Sequence, residues 1–229
     1  MTIQCTHVIF DVDGLLLDTE RLYSESTQKV CDEFGKTYTW DLKSAVMGKG
    51  EKNVSKIITE VLGLPMTPEE YIRRTREIQK TLFPTAKLLP GAEKLVRHLH
   101  EHKIPIAVAS GSDNWCFELK TTNHQEFFKL FHHTVLCSDD PEVEHSKPAP
   151  DGFIVAAKRF GDAPDPAKIL VFEDAPNGVI AANAAGMHCI WVPAPEVTQA
   201  DDVKSKAILI LDSLELFKPE DFGLPSYSQ

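Results

Sequence analysis

From residue 87 onward the chain alternates short β-rich apolar runs with helix-periodic stretches, an order that few folds accept. The apolar runs are Ile104 to Ser110, Thr134 to Cys137, Ile169 to Glu173, His188 to Val192 and Ala207 to Leu211. Helical patterns at Ala92 to His102, Gly152 to Phe160 and Asn177 to Ala185 fall between several of them, with Gly186 placed to end the last. Nearly continuous apolar strands joined in this way predict an α/β domain whose parallel sheet is covered on both faces. Residues 18–86 read differently. They carry helical periodicity at Glu20 to Phe34, Asp41 to Met47, Glu51 to Leu62 and Pro68 to Leu82, with almost no strand signal. Thr67 followed by Pro68 and Glu70 has the make-up of a helix start. The expected organisation is a core from residues 1–17 and 87–229, interrupted just after its first strand by a helical insert at 18–86.

The first strand limits the chemistry. Val8-Ile9-Phe10 runs straight into Asp11-Val12-Asp13-Gly14, which puts two carboxylates at a buried strand end with a glycine next for the turn. Alternate strand residues share a face, so Asp11 and Asp13 are expected to point into one small volume. Like charges that close are costly unless a cation sits between them or one stays protonated. A divalent cation at the strand end satisfies the pair.

Composition narrows the class. At 229 residues the chain suits one large domain, or a medium domain plus a smaller one, and 42% apolar with 25% charged residues is ordinary for a soluble protein. A net charge of −10 argues against a nucleic-acid polymer as partner, but not against a small anion, because a bound cation can dominate its local field. Five widely spaced cysteines without a C-x-x-C pattern fit buried thiols in a reducing compartment. No basic segment followed by an apolar stretch is visible at the N-terminus, and no apolar run approaches about 18 residues. A cytoplasmic protein without a membrane partner is expected, and the sequon Asn53-Val54-Ser55 then has no consequence.

In sheets of this kind ligands bind beyond the carboxyl ends of the strands. Those ends carry Asp11 and Asp13, then Ser110-Gly111-Ser112, then Glu173-Asp174, while Lys147 lies in the loop before a helix starting near Asp151. Together they supply the parts for phosphoryl transfer through an aspartyl-phosphate. Asp11 would be the nucleophile. Asp13 would protonate the leaving oxygen and later activate water. Mg²⁺ would sit among Asp11, the backbone carbonyl of Asp13 and Asp174, with Glu173 acting through water or by orienting the site. Ser110, Gly111 and Lys147 would bind the phosphoryl oxygens.

Asp11-Val12-Asp13-Gly14, the strand-ending Ser110, Lys147-Pro148-Ala149-Pro150-Asp151 and Glu173-Asp174-Ala175-Pro176-Asn177-Gly178 resemble, in order, the four motifs of the haloacid dehalogenase superfamily. The resemblance implies a Rossmann-like, doubly wound parallel sheet, Mg²⁺ dependence and the aspartate mechanism. An aspartate two positions after the nucleophile is similar to the phosphatase and phosphomutase branches. The insert resembles the four-helix cap of the beta-phosphoglucomutase-like group. Over nearly the whole chain, including His7 to Glu20, Trp40 to Lys49 and Gly223-Leu224-Pro225-Ser226-Tyr227, the sequence is similar to eukaryotic members acting on pseudouridine 5′-phosphate or on glycerol phosphate. The implied partner is a small phosphorylated metabolite, taken by a monomer. Ser110 stands where relatives often carry threonine, and either hydroxyl can serve.

Other classes stay in view. A phosphomutase would use the same intermediate but return the phosphoryl group to the sugar. A phosphonatase would need a desolvated cap lysine, for which Lys49, Lys52 and Lys56 are the candidates. A binding protein on this fold would be expected to lose Asp11 or Asp13, and both are present. Gly48-Lys49-Gly50 lacks the spacing and preceding strand of a P-loop. Lys49, flanked by glycines, reads as a solvated loop lysine or, since the insert must close over the crevice, as a substrate contact alongside Glu20.

Overall fold

A computed structural model describes residues 3–47 and 50–227 of the chain. In chain order its elements are β1 (His7–Phe10), α1 (Thr19–Asp32), α2 (Trp40–Val46), α3 (Glu51–Leu62), α4 (Pro68–Leu82), α5 (Ala92–Glu101), β2 (Ile106–Ser110) and α6 (Asn114–Thr121). They continue with α7 (Gln125–Phe128), β3 (His133–Leu136), α8 (Asp151–Lys158), β4 (Ile169–Glu173), α9 (Pro176–Ala184), β5 (His188–Trp191), α10 (Asp201–Lys204) and β6 (Leu209–Ile210).

The strands form one parallel sheet in the order β3-β2-β1-β4-β5-β6. The chain winds outward from β1 through β2 to β3, then returns to β4 on the other side and winds outward again. This reversal between β1 and β4 is the switch point where a crevice opens above a doubly wound sheet. Alternation along each strand covers both faces. Val8, Phe10, Leu170 and Phe172 point into one core with Leu95 and Phe217, while Ile9, Val171, Phe153 and Trp191 build the other. Phe10 and Phe172 stack across neighbouring strands at 5.0 Å, worth about 0.5–1.5 kcal/mol beyond burial. All five cysteines are buried and free. No helix is long and apolar enough to cross a membrane among the described residues.

Helices α1 to α4 interrupt the core directly after β1 and bring their own apolar cluster, with Val30, Leu42, Ile58 and Tyr71 at its centre. The starts and stops follow local chemistry. Thr67 Oγ1 accepts from the Glu70 backbone N–H at 3.2 Å and Pro68 opens α4, a cap worth about 1 kcal/mol. Gly186, at φ +75°, follows the end of α9. The structure corrects the sequence reading at β1. The strand stops at Phe10, so Asp11 and Asp13 do not alternate on a strand but sit in the turn beyond it, where Gly14 N–H donates to the Leu17 carbonyl. Helices α6, α7 and α10 lie outside the sequence expectation as well.

Candidate active site

Adjacent strand ends carry the charged groups. Phe10 pairs with Phe172 and Val108 across the sheet, so Asp11, Glu173 and Ala109 follow in register. Lys147 reaches all three from its loop. Its Nζ donates to Asp11 Oδ1 at 2.5 Å, Glu173 Oε1 at 2.6 Å and the Ala109 carbonyl at 3.0 Å. The other Glu173 oxygen accepts from the backbone N–H groups of Asp174 and Ala175 at 3.1 and 3.2 Å. Gly178, in the first turn of α9, allows this approach, because a Cβ there would overlap the Glu173 carboxylate. Trp191 Nε1 donates to the Asp174 carbonyl at 2.8 Å and fixes the neighbouring peptide.

One ammonium therefore serves a group of buried carboxylates. Burial raises the Asp11 pKa, Lys147 opposes it, and the charge of Asp13 adds to the rise. Burial lifts Glu173 to about 7 against the pull of Lys147, with Asp11 adding to the rise. Asp174 is also pushed well up, by burial and then by the charges of Glu173, Asp11 and Glu20. No ion pair reaches Asp174 among the described residues. Its carboxylate lies against the turn after β1, where a Cβ on Gly14 would meet Asp174 Oδ2. The donors here fit a hard cation: two carboxylates, from Asp11 and Asp174, and the carbonyl of Asp13. The described residues contain no ready-made cage of three or more His, Cys, Asp or Glu side chains. Magnesium needs none, since it binds through one or two carboxylates and keeps water or phosphate for its other positions.

Asp13 has a separate set of partners. Its Oδ1 accepts from Thr19 Oγ1 at 2.6 Å and from Lys120 Nζ at 2.6 Å. Its Oδ2 accepts from Lys120 at 2.8 Å, Ser112 Oγ at 2.8 Å and, more loosely, Ser110 Oγ at 3.4 Å. Burial raises its pKa, but the charge of Lys120 and the bonds from Lys120, Thr19 and Ser112 outweigh burial and hold it below the usual value. Ser110 is fully buried, and its Oγ also accepts the Ser112 N–H at 3.2 Å. Its hydroxyl thus lies within the Asp13 network, while the Gly111 carbonyl accepts from Ser138 Oγ at 2.7 Å.

Two cavities meet at Asp13. One, of about 160 Å³, is lined by Asp11, Lys147, Glu173 and Asp174. The other, of about 270 Å³, lies under the helical insert against Tyr23, Tyr38, Lys43 and Tyr71. Asp13, Glu20 and Gly111 line both. Glu20, named from the sequence as a candidate substrate contact, lies on the wall of both cavities. Lys49 lies outside the described residues. Among the described residues, the lysine that lines the larger cavity is Lys43, which donates to Ser24 Oγ at 2.8 Å and pairs with Glu20 at 3.3 Å.

Lys43, Thr19 and Lys120 were not found from the sequence, and Ser112 was placed at its strand end without a role. Asp113, which caps α6 by accepting from the Cys116 N–H at 2.7 Å, was the local signal for the helix that carries Lys120. Nothing local announced that Lys120 points inward.

Comparisons with known proteins agree with this geometry. The model of the haloacid dehalogenase-like hydrolase family matches residues 8–192. A Drosophila melanogaster protein named probable pseudouridine-5′-phosphatase is 49% identical over 223 residues, covering 97% of this chain and 96% of that protein. The Arabidopsis thaliana (DL)-glycerol-3-phosphatase 1, mitochondrial, is 47% identical, covering 97% of this chain and 74% of that one. Among solved structures, a hydrolase of the same family from Deinococcus radiodurans with bound phosphate and sodium superposes with a TM-score of 0.79 at 22% identity, covering 97% and 99% of the two chains. A beta-phosphoglucomutase from Clostridium difficile gives 0.73 at 23% identity over 95% of each.

Proposed function

Because this chain belongs to the haloacid dehalogenase-like hydrolases, we propose that it hydrolyses small phosphomonoesters through a phosphoryl group carried on Asp11. The observation that carries this reading is the position of Asp13 on the wall shared by a carboxylate-and-lysine cavity and a larger cavity under the insert. That is where an acid must stand if phosphate occupies the first cavity and the alcohol the second.

Lys147 holds Asp11 Oδ1, which leaves Oδ2 to attack phosphorus. Asp13, held as a carboxylate by Lys120 in the free protein, takes up a proton from solvent as the anionic phosphoryl group enters. The bond from phosphorus to the alcohol oxygen then breaks, and that oxygen takes this proton. Asp13, now a carboxylate, accepts a proton from water as the water oxygen attacks the phosphoryl group. The Asp11 carboxylate leaves, and inorganic phosphate departs. Lys147 and backbone N–H groups near Ser110 and Gly111 offset charge on the phosphoryl oxygens. Asp11, Asp174 and the carbonyl of Asp13 would hold Mg²⁺, which supplies charge neutralisation at the phosphoryl oxygens. Glu173 orients Lys147 and the Asp174 peptide.

For the substrate, we favour pseudouridine 5′-phosphate, whose alcohol is pseudouridine. The similarity to the Drosophila melanogaster protein supports it, as does a 270 Å³ cavity lined by three tyrosines, which a planar base would fill and a three-carbon polyol would leave largely to water. Glycerol phosphate is the second reading, supported by the Arabidopsis thaliana relatives at 47% and 46% identity. Phosphate release with Mg²⁺ should be measured over pseudouridine 5′-phosphate, other nucleoside monophosphates, glycerol 3-phosphate and sugar phosphates. The proposal expects the highest kcat/KM for pseudouridine 5′-phosphate. An isomeric sugar phosphate in place of free phosphate would make the protein a mutase, and no turnover of any phosphomonoester would overturn the reading.

A further inference from the structure

We propose that Lys120 is the positioning residue for Asp13, fixing the carboxyl group that handles the proton while never touching substrate. The proposal deepens the phosphatase reading and rests on its assignment of Asp13. Lys120 is the only fully buried lysine among the described residues, and it lines neither of the cavities that meet at Asp13. Its Nζ lies 2.6 and 2.8 Å from the two Asp13 oxygens, 2.5 Å from Ser112 Oγ and 3.3 Å from Tyr23 Oη. The rings of Tyr23 and Phe83 flank it at 5.3 and 5.8 Å. Those rings sit where the chain enters and leaves the helical insert, so the ammonium is held at the joint between insert and core.

Lys147 and Lys120 therefore divide the work. Lys147 is bonded to Asp11 and Glu173 on the phosphate side, and Lys120 to Asp13 on the side of the alcohol. A buried ammonium is costly unless it is fully paired, and the choice of lysine over an apolar residue here calls for a role. Proton transfer provides one, because the carboxyl must stay within about 2.6–3.2 Å of the leaving oxygen. Asp13 stands immediately before Gly14, on whose φ of +79° the turn pivots. With Thr19 and Ser112, Lys120 limits where its carboxyl group can swing.

The test compares Lys120→Met, Asp13→Asn and the double variant on the preferred alkyl phosphate and on p-nitrophenyl phosphate, whose phenolate leaves with little protonation. Asp13→Asn should lower kcat/KM, which reports the step in which the alcohol leaves, by about 10²–10⁴-fold on the alkyl phosphate and less on the aryl one. Lys120→Met should lower kcat/KM on the alkyl phosphate by about 30-fold or more, with kcat/KM on the aryl phosphate within about 3-fold. In the Asp13→Asn background the same change should cost less than about 3-fold, since two residues acting through one group are not additive. An equal loss on both substrates, or an undiminished loss in the Asp13→Asn background, would overturn the proposal. If Lys120→Met alone does not fold, the double variant, which buries neither charge, still gives the second comparison. No leaving-group dependence in Asp13→Asn would remove the acid assignment and this inference together. Dependence there but not on Lys120 would remove this inference alone.

Discussion

Asp11, Glu173 and Asp174 are all buried, and the single ammonium of Lys147 bonds only the first two. Asp174→Asn should therefore stabilise the metal-free protein, since it removes a carboxylate whose ionised form burial and its acidic neighbours disfavour, while crippling activity. It should also raise the Mg²⁺ concentration for half-activity by more than the roughly 10–100-fold expected of a residue that only orients ligands. Glu173→Gln should stay within that range. Thermal melts and Mg²⁺ titrations of the two variants check both statements, and the reverse order would exchange their roles. The residues named here were legible for a physical reason. Asp11, Asp13, Glu173 and Asp174 follow apolar strands, and Lys147 precedes a helix start, so local pattern places all of them at one sheet edge. Lys120 was not legible, since a lone lysine on a short helix reads as solvated and only the tertiary path of α6 buries it.

Elements with strong end signals were the ones read accurately. The limits of α3 and α4 match the sequence expectation, because Gly63 in the left-handed region stops one and the Thr67–Pro68 cap starts the other. Strand β1 was read too long, since the apolar pattern does not show that the chain turns at Asp11 before Gly14. Helices α7 and α10 are four residues each, too short for a periodicity to register. The start of α9 carries the sharpest element-level prediction. Gly178 leaves room for the Glu173 carboxylate, so Gly178→Ala must displace it or the helix. A loss of about 1–3 kcal/mol in urea unfolding is expected, with a larger proportional loss of turnover as Lys147 loses one of its partners. Unchanged stability and activity would mean that the Glu173 side chain has another position open to it.

At the scale of the whole molecule, the switch point between β1 and β4 gathers charge that the fold alone does not balance. Glu173 keeps its proton up to about pH 7 when folded, against an ordinary value of 4.5. Between those values the folded protein binds more protons than the unfolded chain, so this group makes stability fall as pH rises. Asp11 and Asp174, also raised, act in the same direction. Asp13, held low, acts oppositely but only below the usual carboxylate range. The metal-free protein should thus melt lower at about pH 8 than at about pH 5, and Mg²⁺ should restore more at the higher pH. A pH-independent melt without metal would contradict this. The fold class was legible throughout, whereas the alcohol specificity was not, because it depends on which side chains the insert turns toward its 270 Å³ cavity. The central claim, a phosphoryl group carried on Asp11, is tested most directly by rapid acid quench of a single turnover followed by mass spectrometry of the peptide containing residue 11. One phosphoryl group should appear on Asp11, labile to hydroxylamine and absent from Asp11→Asn, which should also lack turnover. Hydrolysis that proceeds with no labelled peptide at any time, or with the label on another residue, would contradict it.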